Sequence, residues 1–372
     1  MTERASPNRW SRLLAAAMAR TEGGVDTVRR LVGSALAPSG PPRPLLYRSF
    51  GTAQGVRVIG RVVRDAEDRP AAAGDGPVRN LLAAVRRFES EEVRGATVRI
   101  RYGDRAAMMT TDAEGYFDGW LEGPNPIPGA QWQPVSADVV APEGASATGL
   151  ALVPPGSARI SVISDLDDTV IRTGVGNLLR LAASTLLANA RTRLPFAGVA
   201  EFYRGLAAGA GGDEGNPISY VSSGPWHLHE VVVEFLESRK IPLGPVQLRD
   251  WGTDRERVLS GGHWMHKLAA IDRVAAAWPE LPMILVGDSG QHDPEVYVEA
   301  ARRYGGRVRA IYIRDVTGPD RRAAVVRLCE TAAELGAEML LAPDTASVAA
   351  HAASRGWLAP DQLAAIRQAV EG

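Results

Sequence analysis

The chain has 372 residues, enough for two domains, and its 45% hydrophobic and 23% charged content fits a folded chain with a large core. A net charge of −1 leaves no electrostatic footprint for nucleic acid, and no apolar run approaches the ~20 residues that span a bilayer. The single cysteine, Cys329, excludes an intrachain disulfide and fits a reducing compartment.

Residues 1–45 read as a helical arm followed by a Pro/Gly-rich linker, Ala37 to Pro44. Trp10, Leu13, Leu14, Ala17 and Met18 recur at the spacing of one helix face. Residues 1–50 hold eight arginines against three acids, a surplus of five positive charges. Such a stripe suits docking on the chain's own body or peripheral contact with an anionic membrane. Leu13 to Ala19 also sits at the lower limit for a signal-peptide core. The amphipathic helix is the reading adopted.

Residues 46–155 turn to β texture. Val56–Val63 and Ala96–Tyr102 alternate with period two, Thr111–Phe117 places a turn between two strands, and Trp132–Val140 is a further strand. Short strands with turn signals predict a small β-sandwich. A helical insert is expected where Val78, Leu81, Leu82, Val85 and Phe88 share a face.

Residues 156–372 alternate strand and helix. Strands are predicted at 158–165, 217–222, 245–249, 282–287, 308–314 and 338–342. Helices are predicted at Leu178–Arg193, from Gly198, and at His229–Arg239, His266–Ala277, Pro294–Tyr304 and Arg321–Leu335. The alternation predicts an α/β fold, a parallel sheet covered on both faces.

Ligands in such sheets bind beyond the carboxyl ends of the strands. The first strand delivers Asp165-Leu-Asp167-Asp168-Thr169 there. The second delivers Ser222-Ser223-Gly224, and the fourth Gly287-Asp288 with Asp293 five residues on. Lys267 lies ahead of the fourth strand at the start of a helix. It is one of only two lysines, with Lys240, among 42 basic residues, so arginine is the default cation and each lysine is notable. Clustered carboxylates are tolerable around a hard divalent cation such as Mg²⁺, which takes oxygen ligands and shares them with phosphate. A carboxylate can attack phosphorus, and a second can shuttle the leaving-group proton. A serine hydroxyl and a compact ammonium can hold phosphoryl oxygens. A calcium loop needs Asp or Asn at its fifth position and Gly at its sixth, where this chain has Thr169 and Val170. A solvated acidic turn does not account for the second acidic group on another strand. The six histidines form no paired zinc motif.

Asp165-x-Asp167-x-Thr169, the strand-end Ser222, Lys267 and Gly287-Asp288-x4-Asp293 resemble the four motifs of the haloacid dehalogenase superfamily. Tyr220-Val-Ser-Ser-Gly-Pro-Trp226, His266-Lys267, Val286–Tyr297 and Ile311–Val316 narrow the resemblance to the phosphatidate phosphatase family of the actin-patch-protein type, with lipins more distant. It covers about 158–345 strongly, and Tyr47–Thr52 and Val58–Val62 also resemble the region preceding the catalytic domain in bacterial members. The resemblance implies a haloacid dehalogenase-like fold. It makes Asp165 the nucleophile and Asp167 the general acid/base. Ser222 and Lys267 hold the phosphoryl group, with Thr169, Ser223 and Gly224 at the substrate. Mg²⁺ is held by Asp165, Asp288, Asp293 and the Asp167 carbonyl. Asp168 has no assigned role, and Ser222 and Ser223 both stand as the phosphate anchor.

Residues 171–216 and 251–281 are too short to build a large lid, so an open site is expected, suited to a phosphate on a large object. The expected activity is Mg²⁺-dependent hydrolysis of phosphatidate through an aspartyl phosphate, with a phosphorylated lipid as partner, in the cytoplasm or peripherally on an inner membrane face. Two alternatives stand beside it. One is the same chemistry on a protein, nucleotide or metabolite phosphomonoester; the other is a non-catalytic lipid-binding scaffold, for which Asp167 and Lys267 would have no use.

Overall fold

The computed structural model of the chain describes residues 40–64, 91–123, 127, 130–166, 196–249 and 262–372. The helices expected in the arm, from Val78 to Phe88 and at Leu178–Arg193, together with Asp167, Asp168 and Thr169, fall outside the described residues.

Nine strands come first: β1 (Arg43–Leu46), β2 (Ser49–Thr52), β3 (Gly55–Arg64), β4 (Glu91–Glu92), β5 (Thr97–Tyr102), β6 (Arg105–Thr110), β7 (Tyr116–Glu122), β8 (Trp132–Ala141) and β9 (Ser146–Leu152). The sequence predicts two stacked sheets; hydrogen bonding joins all nine strands through β2. That strand pairs antiparallel with β3 and parallel with β9. Val56 and Val58 of β3 and Phe117 and Leu121 of β7 share one core with Val98 and Ile100 of β5 and Val135 and Ala137 of β8. The inward-facing residues alternate with outward ones, the period a pleated strand requires.

A parallel sheet follows. Its strands are β10 (Ser161–Asp165), β11 (Ile218–Pro225), β12 (Val246–Arg249), β13 (Met283–Asp288), β14 (Val308–Arg314) and β15 (Glu338–Ala342), in the spatial order β12-β11-β10-β13-β14-β15. Counting from β10, that is the doubly wound order 3-2-1-4-5-6, whose direction reverses between the first and fourth strands. The helices are α1 (Val199–Ala208), α2 (His229–Ser238), α3 (Gly262–Ala277), α4 (Asp293–Tyr304), α5 (Pro319–Glu334), α6 (Thr345–Ser354) and α7 (Pro360–Glu371).

Alternation along the central strands assigns them to two faces. Val162, Ile284 and Tyr312 pack with Tyr203 of α1, Phe235 of α2 and Ile366 of α7. Ile163, Leu285 and Ile311 pack with Ile271 of α3, Val296 of α4 and Val325 of α5. Both faces are covered, so β10 and β13 are buried throughout. Each predicted strand of this sheet is present within a few residues of its expected bounds. Helix α3 starts at Gly262 rather than His266, which moves Lys267 from the first turn into the second. Among the described residues no helix is long and apolar enough to cross a membrane.

The two sheets meet at the turn between β1 and β2. The Tyr47 ring stacks on Trp226 at 4.7 Å and leans on His229 at 4.8 Å. The Arg48 backbone N–H donates to His229 Nε2 at 3.1 Å. Burial, aided by the Arg48 charge, pushes the His229 imidazole from its ordinary value near 6.5 down to about 3. The folded state therefore binds this proton less tightly than the unfolded chain does. Stability from His229 is complete above about pH 6.5 and is lost as the pH falls towards about 3. On this account the urea-unfolding free energy drops by about 2 kcal/mol between pH 7.5 and pH 5. His229→Phe flattens that dependence; an equal slope in both proteins would show that His229 is not its source.

Candidate active site

The register of the parallel sheet brings the predicted groups to one edge. Asp165 closes β10 and Asp288 closes β13, the strands on either side of the reversal in order, with Ser164 level with Val286. Asp165 is paired with Val221, so Ser222, Ser223 and Gly224 come at the same edge of β11. Asp293 opens α4, five residues beyond Asp288. Lys267 reaches in from α3.

Lys267 Nζ lies 2.7 Å from Asp165 Oδ1 and also bonds Asp293 Oδ1. Asp165, Asp288 and Asp293 are fully buried, and Lys267 is 4% exposed. Burial pulls the ammonium pKa down, but the Asp165 and Asp293 carboxylates outweigh it and hold Lys267 above the ordinary lysine value. The cation is therefore fixed: its contribution to stability is complete below the unfolded lysine pKa and is lost only as pH rises through the folded one.

One carboxylate oxygen from each of Asp165, Asp288 and Asp293 lies within 4.8 Å of the others. Lys267 supplies one positive charge against three buried carboxylates. An all-oxygen donor set with that excess of negative charge fits a hard divalent cation such as Mg²⁺. Asp165, Lys267, Asp288 and Asp293 are thus brought together as the sequence predicts. Asp167, Asp168 and Thr169 lie outside the described residues.

Ser222 and Ser223 are both buried. Ser222 Oγ accepts the Gly224 N–H at 3.0 Å, folding its hydroxyl onto the turn. Accepting that bond engages a lone pair and not the hydroxyl proton.

A supporting layer escapes sequence reading. Ser164 Oγ donates to the Asp165 carbonyl at 2.7 Å. Its only proton is then committed, so the 2.6 Å contact with Tyr203 is donated by the tyrosine. Burial holds the Tyr203 phenol above its ordinary pKa, keeping that donor protonated. On the other face, Asp293 Oδ2 accepts the Asp288 N–H at 3.2 Å, Asp288 Oδ1 accepts the Gly290 N–H at 2.5 Å, and Tyr297 donates to the Val286 carbonyl at 2.9 Å. Arg321 of α5 pins the same loop, donating to Ser289 O at 2.9 Å and Gln291 O at 2.7 Å while pairing with Glu295. Tyr203 and Arg321 carry no local motif; only the fold brings them here.

Gly287 is fixed by close approach. A Cβ there would fall 2.5 Å from Asp293 Oδ2 and 2.8 Å from Tyr297 Cε2. Gly287→Ala is expected to displace the Asp293 carboxylate and weaken Mg²⁺ or Mn²⁺ binding at least roughly tenfold by titration calorimetry, with the fold retained. Lys267→Met removes the counter-charge of two buried carboxylates and should cost about 3–5 kcal/mol in urea unfolding with EDTA present. Native-like cation affinity in the first variant, or native stability in the second, would contradict this geometry.

Residues 160–315 match the family model described as "Phosphatidate phosphatase APP1, catalytic domain". A phosphatidate phosphatase APP1 of Saccharomyces cerevisiae is 29% identical over 155 residues, which is 42% of this chain and 26% of that protein. An uncharacterized protein of Schizosaccharomyces pombe is 27% identical over 159 residues, 42% of this chain and 25% of its own length. The chain spans about a quarter of the length of these curated relatives. Among solved structures, a carbohydrate acetylesterase from Xanthomonas citri aligns over 79% of this chain and 75% of its own at 10% identity, with a TM-score of 0.26, too low to bear on fold or function. The matched segment opens one residue before β10 and ends one residue after β14, so it encloses Asp165, Ser222, Ser223, Lys267, Asp288 and Asp293 but not Arg321. Through this segment the chain is similar to the catalytic domain of phosphatidate phosphatase APP1.

Proposed function

We propose that this chain is a Mg²⁺-dependent phosphatase of haloacid dehalogenase-like fold that hydrolyses phosphatidate to diacylglycerol and phosphate. The observation that carries the reading is the buried Lys267 ammonium between Asp165 and Asp293, with Asp288 beside them, where the strand order reverses. The similarity of residues 160–315 to the phosphatidate phosphatase APP1 catalytic domain favours phosphatidate as the phosphomonoester. The proposed division is a helical arm at 1–45, a β unit at 46–155 and the phosphatase unit at 156–372. The basic arm touches an anionic membrane surface, and the chain works in the cytoplasm or on an inner membrane face.

In this mechanism an Asp165 carboxylate oxygen attacks phosphorus, and the bond from phosphorus to the diacylglycerol oxygen breaks. Asp167 gives its proton to the departing alkoxide. An aspartyl phosphate remains on Asp165. Asp167, now ionised, takes a proton from water as that water attacks the same phosphorus, releasing phosphate and restoring Asp165. Lys267 holds the Asp165 carboxylate in place and offers positive charge to the phosphoryl oxygens. Ser222 or Ser223 donates to a second phosphoryl oxygen from the end of β11. Asp165, Asp288, Asp293 and the Asp167 carbonyl would hold the Mg²⁺, which when bound neutralises charge on the phosphoryl group.

The test is phosphate release from phosphatidate in mixed micelles. The native chain should be active with Mg²⁺ and inactive with EDTA, and Asp165→Asn should lose at least roughly 10³-fold in kcat. Turnover indifferent to EDTA or to that substitution would sink the mechanism. Robust turnover of p-nitrophenyl phosphate with none of phosphatidate would sink the substrate assignment and leave the chemistry.

A further inference from the structure

We propose that Tyr47–Gly51, five residues of the N-terminal β region, are a positioning element of the active site, bracing both the Ser222–Gly224 turn and the Lys267 helix. The inference rests on the phosphatase reading above and assigns a part to residues that lie outside the matched catalytic segment, which begins at Ile160.

Two limbs make the brace. In the first, Pro225 ends the strand that bears Ser222, and Trp226 follows it directly. The Tyr47 ring stacks on that indole at 4.7 Å with planes 24° apart. Arg48 N–H then holds His229, the first residue of α2. Tyr47 is 4% exposed, so its ring fills space the turn would otherwise relax into. The Arg48–Glu237 pair, whose acid is about half exposed, adds little by comparison.

In the second limb, Phe50 is built into the core shared by α3, α4 and α5. Trp278, the residue just past α3, donates Nε1–H to the Gly51 carbonyl at 2.9 Å and meets the Phe50 ring edge-on at 6.0 Å. Lys267 stands on that same helix. One short run therefore touches the carriers of Ser222 and of Lys267, groups supplied from outside the two carboxylate-bearing strands. Misplacing a reacting or orienting group by about 1 Å can cost 10²-fold in rate. A brace on both carriers is thus a rate-determining part of the site even though it never meets substrate.

Hydrogen-exchange mass spectrometry and steady-state kinetics on the full chain test this. Tyr47→Leu should speed exchange across 219–228 and lower kcat/KM on p-nitrophenyl phosphate roughly ten- to hundredfold. Tyr47→Phe, which keeps the ring, should restore both to within about twofold of native. Trp278→Phe, which removes the hydrogen bond to Gly51 and part of the indole's packing, should speed exchange across 262–270 and leave 219–228 unchanged. Native exchange at 219–228 in Tyr47→Leu overturns the proposal, as does faster exchange with unaltered kcat/KM. If Tyr47→Leu does not fold, Trp278→Phe decides: native exchange at 262–270 overturns the brace. Failure of the functional reading would show separately, as no phosphomonoester hydrolysis by the native chain, while the exchange results still decide the brace.

Discussion

Three carboxylates and one ammonium share a space closed to solvent, and the α/β part of the chain is arranged around keeping them there. Burying one unpaired charge costs several kcal/mol, and burying three of like sign costs more than any single lysine returns. Lys267 offsets two of them by direct ion pairs. The remaining negative charge suits the site to the divalent cation proposed above and, through it, to a phosphate. Electrostatic tension here is the functional property, held in place by packing elsewhere.

The fold supplies that restraint from both faces of the parallel sheet. On one face Tyr203 and Ser164 fix the end of β10 by hydrogen bonds that end on the Asp165 carbonyl. On the other, Gly287 lets α4 come close enough for Asp293 to cap the Asp288 N–H, and Arg321 stitches the loop between them to α5. Asp165 and Asp288 are therefore held at their backbones, and one carboxylate oxygen each of Asp288 and Asp293 is oriented by a backbone N–H. Preorganised groups of this kind need little rearrangement as charge moves in the transition state.

Much of this was legible in the residues, and the reasons are particular. Asp165 and Asp288 stand at the ends of strong apolar runs such as Met283–Val286, and a strand buried on both faces announces itself by unbroken hydrophobicity. The scarcity of lysine singled out Lys267. The strands β1 and β2 were not legible: four residues each is too short for alternation to register, and their packing partners lie some 180 residues or more away in sequence, at His229 and Trp278. The last two helices, α6 and α7, were missed because an alanine-rich segment such as Thr345–Ser354 has little contrast between its faces. Tyr203 and Arg321 act through tertiary contacts alone, so no spacing in the sequence could mark them.

The central claim is that Asp165 is the covalent phosphate acceptor in this cluster. Its most direct test is to mix the native chain with phosphatidate labelled in its phosphate, quench in acid within one turnover, and map the label by peptide mass spectrometry. The account predicts hydroxylamine-sensitive label on the peptide containing Asp165, accompanied by a burst of diacylglycerol equal to the enzyme present. Label on another residue, or steady turnover with neither burst nor label, would contradict it.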